Sequence, residues 1–134
     1  MAKKLILIVE DDRDIAEILA TDLTAQGYDI LLAFDGNQGI MFAMQRVPDL
    51  VILDCMMPAG GGFFVYERLR SSTKTLSIPV IFITAIPEEE LRSKIQFGRR
   101  SFYCPKPFRP AQLRALLVQV LAAPAAEDQA TKPE

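Results

Sequence analysis

Five short apolar runs punctuate the chain, and each is followed by a stretch whose apolar residues recur at helical spacing. The runs are Leu5-Ile6-Leu7-Ile8-Val9, Ile30-Leu31-Leu32-Ala33, Leu50-Val51-Ile52-Leu53, Pro79-Val80-Ile81-Phe82-Ile83 and Phe102-Tyr103-Cys104-Pro105. They are apolar throughout rather than alternating, which predicts strands buried on both faces of a parallel sheet. Between them, Ile15, Ile18, Leu19 and Leu23 predict a helix that Gly27 stops. Ile40, Ala43, Met44 and Val47 predict another, ended by Pro48. Pro58 and Gly60-Gly61-Gly62 predict a loop before a helix carrying Phe63, Tyr66 and Leu69. Pro87 suits the first turn of a fourth helix, whose positive end is complemented by Glu88, Glu89 and Glu90. Leu113, Leu116, Leu117, Val120 and Leu121 form the strongest helical stripe in the chain.

Strand and helix therefore alternate five times. The fold class is α/β: a doubly wound (βα)5 domain with a five-stranded parallel sheet, right-handed crossovers and the flavodoxin-like strand order 2-1-3-4-5. With 134 residues, half of them apolar, the chain has enough core for one domain, expected over residues 1–122. Residues 123–134 have little apolar content and are expected to be a disordered tail or a truncated linker. No run approaches the roughly 18 apolar residues of a membrane span. Met1-Ala2-Lys3-Lys4 leads straight into the first strand, so no signal peptide is expected and the chain reads as cytoplasmic. Cys55 and Cys104 fall in or beside core strands and are read as reduced, small apolar residues.

A net charge of −2 gives no basic footprint for nucleic acid, and the lack of histidine excludes His-based nucleophilic catalysis and His-ligated metals. The informative polar residues sit where strands end: Glu10-Asp11-Asp12, Asp54, Thr84 and Lys106. In an open α/β sheet the ligand crevice lies outside the carboxyl ends of the strands. The predicted order puts the first and third strands side by side, making Glu10 and Asp11 neighbours of Asp54. A carboxylate attacking a phosphoryl group brings two negative charges together, so the reaction needs a cation. Three carboxylates offer hard oxygen ligands to Mg²⁺. Lys106 would neutralise phosphate from the other side as a point charge, and the Thr84 hydroxyl could donate to it. Asp12 reads instead as the N-cap of the first helix. As isolated residues, Thr84 would be a β-branched strand residue and Lys106 a surface charge. Solvated strand-end acids are the plain alternative for Glu10 and Asp11, but repulsion at Asp54 makes that arrangement costly without a cation.

The elements Ile8-Val9-Glu10-Asp11-Asp12, Pro48-Asp49-Leu50-Val51-Ile52-Leu53-Asp54, Met57-Pro58, Ile83-Thr84-Ala85 and Lys106-Pro107-Phe108 stand in order and at telling intervals. From about residue 4 to residue 121 the chain resembles the receiver domains of bacterial two-component response regulators, with their chemotaxis-regulator-like fold. The resemblance implies that Asp54 is the phosphoacceptor for a histidine kinase or histidine phosphotransfer protein, with no separate substrate turnover. It implies that Asp11 and Asp54 ligate Mg²⁺ directly, Glu10 through water, and the Met56 carbonyl completes the protein's share. It also implies a cis Lys106–Pro107 bond, and a switch in which Thr84 moves toward the phosphate and Tyr103 turns inward. Simple core burial is the rival reading for Tyr103. An apolar rim of Ile15, Pro58, Pro107 and Phe108 would dock the kinase-side partner. The face of the fourth helix, fifth strand and fifth helix, with Arg92, Arg99, Arg100 and Phe102 exposed, would meet an output protein, a missing effector domain or a second copy. Gly60-Gly61 and the Gly98-Arg99 pair depart from the family pattern, which leaves the loop after Asp54 and the turn before Phe102 open to difference.

Two other functions use similar parts. An aspartyl-phosphate hydrolase of the haloacid dehalogenase class needs a second acid two residues after the nucleophile, and Met56 stands there. A flavodoxin-type FMN carrier needs donors in its first loop, whereas Glu10 to Asp14 would repel phosphate. A third alternative, an interaction module independent of phosphorylation, would not need the intact set of site residues.

Overall fold

A computed structural model describes residues 3–57 and 61–122. β1 (Leu5–Val9) pairs in parallel with β2 (Asp29–Ala33) and β3 (Leu50–Leu53). β4 (Val80–Thr84) and β5 (Ser101–Pro105) continue beyond β3, giving the order β2-β1-β3-β4-β5 as expected. The helices are α1 (Arg13–Ala25), α2 (Gly36–Arg46), α3 (Gly61–Arg70), α4 (Glu88–Lys94) and α5 (Pro110–Ala122). Among the described residues no helix is long and apolar enough to cross a membrane. The tail expected at 123–134 and the docking residue Pro58 lie outside the described residues.

Strand side chains alternate between two faces, and here both faces are covered. Ile6, Ile8, Ile52, Ile81 and Ile83 pack with Leu19 and Leu23 of α1 and Leu113 and Leu117 of α5. Leu7, Val9, Val51, Leu53 and Phe82 pack the other way, against Ile40 and Ala43 of α2, Val65 and Leu69 of α3 and Leu91 of α4. Each such Leu, Ile, Val or Phe contributes about 1.5–3 kcal/mol by burial. The double coverage is why the strands carry unbroken apolar runs.

Helix ends follow local chemistry, with some departures from the expected stripes. The Asp12 carboxylate accepts from the Asp14 and Ile15 N–H groups, confirming it as the α1 N-cap. Ile18, expected on the buried stripe, is 58% exposed. At about 100° per residue, the face centred on the buried Ala16, Leu19 and Leu23 leaves Ile18 about 130° away and Ile15 on its flank. Val47 is likewise not on the α2 stripe: the helix ends at Arg46, and Val47 takes a left-handed φ of 43° as its C-cap. Pro87 precedes α4 rather than opening it, and that helix is only seven residues long. Ile95 is already extended, so Ile95 and Phe97 both reach the core, and Phe97 meets Phe82 at 5.9 Å between ring centroids. Phe102 is not the exposed contact expected of it. It is half-buried against the α1–α5 layer, because Tyr103, its neighbour in β5, takes the opposite face.

Candidate functional site

Register brings the acids together. Val9 lies opposite Leu53, so Glu10 and Asp54, the next residue on each strand, leave the sheet side by side. The Asp54 N–H donates to the Val9 carbonyl at 3.1 Å, and the Glu10 N–H to the Ala33 carbonyl at 3.0 Å. Both carboxylates are buried, at 3% exposure for Glu10 and 4% for Asp54, while Asp11 faces solvent. One oxygen from each of Glu10, Asp11 and Asp54 lies within 4.8 Å of the others.

Lys106 enters from β5. Its backbone N–H donates to the Thr84 carbonyl at 2.8 Å, and the Lys106–Pro107 bond is cis. The Lys106 Nζ donates to Glu10 Oε1 at 3.0 Å and lies 3.4 Å from Asp54 Oδ2. Asp54 Oδ1 accepts from the Met56 N–H at 3.0 Å, and Glu10 Oε2 from the Asp12 N–H at 3.1 Å. Asp54 is thus held by a donor on one oxygen and a cation near the other. Met56 contributes this N–H, and its side chain is exposed.

Burial dominates the electrostatics. It pushes the Glu10 carboxyl up to about 7 with help from Asp54, against the hydrogen bonds from Lys106 and Asp12. For Lys106, burial disfavours the charge, but the Glu10 hydrogen bond and the two carboxylates outweigh it and raise the pKa above 10.5. Three acids served by one ammonium leave a net negative pocket, and the protein answers by making Glu10 easy to protonate. A hard divalent cation would answer the same deficit, and the all-oxygen donor set fits one. Cys55, the residue after Asp54, is buried and its thiol is pushed up to about 12 by burial and by Asp54. It stays protonated and is no rival nucleophile.

Thr84 is fully buried at the end of β4, and its hydroxyl accepts from the Ile86 N–H at 3.1 Å. Tyr103 donates its hydroxyl to the Ile86 carbonyl at 2.6 Å, and its ring packs against the α2–α3–α4 layer. Tyr103 is thus half-buried and tied by its hydroxyl to the segment that follows Thr84. Ile15 and Phe108 are half-buried against the α1–α5 layer, whereas Pro107 is exposed, so the expected docking rim is part core and part surface.

Two features lie beyond the sequence expectations. Glu10, expected as a metal ligand, is also the main partner of Lys106. Gly61 and Gly62, read as loop, form the first turn of α3, and a Cβ on Gly62 would stand 2.8 Å from Cys55 Cα. A glycine run followed directly by a helical stripe was the available signal for such a close approach.

With this geometry in hand, comparison with known proteins is specific. A family model described as the response regulator receiver domain matches residues 6–118. The DNA-binding dual master transcriptional regulator RpaA of Synechocystis is 40% identical over 118 residues, covering 84% of this chain and 48% of that protein. Hybrid signal transduction histidine kinase D of Dictyostelium discoideum is 36% identical over 119 residues, covering 89% of this chain and 8% of its own length. The chain therefore spans less than half the length of either relative. Among solved structures, the receiver domain of a Pseudomonas aeruginosa sensor histidine kinase, with magnesium ion coordinated in its active site cleft, aligns with a TM-score of 0.81 at 28% identity. That alignment covers 90% of this chain and 99% of the other. In sequence and in fold alike, the chain belongs to the response regulator receiver domain family of two-component systems.

Proposed function

We propose that Asp54 accepts a phosphoryl group from a histidine kinase or histidine phosphotransfer protein in the cytoplasm, and that the aspartyl phosphate changes which partner the domain binds. The observation that carries this reading is the buried Asp54 carboxylate, with Lys106 Nζ at 3.4 Å and Glu10 and Asp11 in the same cluster. A carboxylate oxygen of Asp54 forms the new P–O bond as the P–N bond of the phosphohistidine breaks. The Met56 N–H holds Asp54 in place, and Lys106 balances charge on the incoming phosphoryl oxygens. Asp11 and Asp54 would hold Mg²⁺ directly, with Glu10 through water and the Met56 carbonyl completing the set; the ion would supply charge neutralisation between carboxylate and phosphoryl oxygens. Nothing else is turned over.

For readout, the Thr84 hydroxyl leaves the Ile86 N–H to donate to the phosphate, and the Ile86 segment carries Tyr103 with it through their hydrogen bond. The output is then read on α4, β5 and α5 by a protein partner, an effector domain or a second copy. Ile15, Pro107 and Phe108 flank the crevice on the kinase-facing side.

Incubation with acetyl phosphate and Mg²⁺ should add one phosphate by intact mass. Chelation or Asp54→Asn should abolish it. Equal labelling of Asp54→Asn would refute the assignment, and no labelling of the wild type by any donor would favour a phosphorylation-independent interaction module.

A further inference from the structure

The buried glycine pair at the start of α3 lies directly against the backbone that carries Asp54. An ideal Cβ on Gly62 would overlap the Asp54 carbonyl oxygen, and would stand 2.9 Å from the Asp54 carbonyl carbon and 2.8 Å from Cys55 Cα. All three atoms are backbone, so no rotamer change can make room. Gly61 has a φ of +53°, and its Cβ would stand 2.9 Å from the Cys55 carbonyl oxygen. The Asp54 N–H is bonded to the Val9 carbonyl of β1. The peptide entering Asp54 is thus held by the sheet, while the peptide leaving it abuts the first turn of α3.

We infer that Gly62 is a positioning residue for the phosphoacceptor, setting the depth at which the Asp54 carboxylate stands against Glu10, Asp11 and Lys106. This rests on the reading of Asp54 as phosphoacceptor and adds what fixes its position. Ordinary contact begins near 3.4 Å, so even the smallest side chain must drive the two backbones apart by about 0.6 Å at Cys55 and by more at Asp54. Functional constellations tolerate about 0.5 Å. The displaced atoms lie one to three bonds from the Asp54 Cα, so the carboxylate moves with them.

The test compares wild type, Gly62→Ala and Gly36→Ala. The control is also a buried glycine, but its Cβ would meet the Val65 side chain, at 3.1 Å from Cγ2, rather than the Asp54 or Cys55 backbone; its one backbone neighbour, the Gly61 carbonyl oxygen, is at an ordinary 3.7 Å. Each protein is titrated with Mg²⁺ alone and labelled with acetyl phosphate, with rates expressed per folded molecule from circular dichroism. Gly62→Ala should label about tenfold more slowly or worse, since a 1 Å misplacement can cost about 100-fold, and should bind Mg²⁺ more weakly. Gly36→Ala should match the wild type on both measures. Wild-type rate and Mg²⁺ affinity in folded Gly62→Ala would overturn the inference. If Gly62→Ala does not fold, Gly61→Ala carries the test: a drop of about threefold or more supports it, and none overturns it. Failure of the wild type itself to take up phosphate would instead sink the underlying function.

Discussion

Raising the pH from about 5 to about 8 in the presence of a chelator should weaken the domain, through Glu10. Its carboxyl is buried, and burial with the Asp54 charge lifts its pKa from 4.5 to about 7. In the unfolded chain the group returns to its ordinary value, so between these two values the native state holds the extra proton. The stabilisation from that proton is complete below about 4.5 and is lost as the pH rises through about 7. Each pKa unit corresponds to about 1.4 kcal/mol, so the loss has a ceiling of about 3 kcal/mol. Against a typical domain stability of about 5–15 kcal/mol this is large. The chain has no histidine to mask the effect, and Lys106 keeps its charge across the whole window. Urea unfolding followed by far-ultraviolet circular dichroism, with EDTA, should show a falling midpoint across this window. Glu10→Gln keeps the shape without the charge and should flatten the curve. Added Mg²⁺ should restore stability, and by more at the alkaline end. A midpoint that is level or rises with pH, or a slope that persists in Glu10→Gln, would refute the reasoning.

Two further predictions concern the frame around the site. Arg70 donates to the carbonyls of Leu76 at 3.1 Å, Ile78 at 2.8 Å and Arg100 at 3.2 Å while stacking over Tyr66, tying α3 to the starts of β4 and β5. Arg70→Ala should cost about 2–4 kcal/mol in urea unfolding, and Arg70→Lys should recover little, because one ammonium cannot replace the fork. Val47 holds a φ of 43°, which a β-branched residue resists, so Val47→Asn should stabilise by about 1 kcal/mol, read as a higher thermal midpoint.

Much of this was legible in sequence because the signals were local and repeated. Unbroken apolar runs announced buried parallel strands, and the order β2-β1-β3-β4-β5 then made Glu10, Asp54, Thr84 and Lys106 converge. What escaped was set by rotation about an axis or by contact at a distance. Ile18 fits a helical stripe on paper, but the face α1 buries is chosen by the sheet and α5, and Ala16 takes the inner position. Phe102 and Tyr103 are adjacent aromatics, and only the phase of β5 decides which one meets α4. Pairing of Lys106 with Glu10 as well as Asp54 depends on side-chain reach across the crevice. The role of Gly62 needed the backbone of Asp54 in view.

The most direct test of the central claim is chemical trapping of the phosphorylated residue. An aspartyl phosphate is reduced by borohydride to homoserine, which marks the acceptor permanently. After labelling with acetyl phosphate and Mg²⁺, followed by reduction and peptide mass mapping, homoserine is predicted at position 54. Homoserine at Asp11, Asp12 or Asp49 instead would contradict the account.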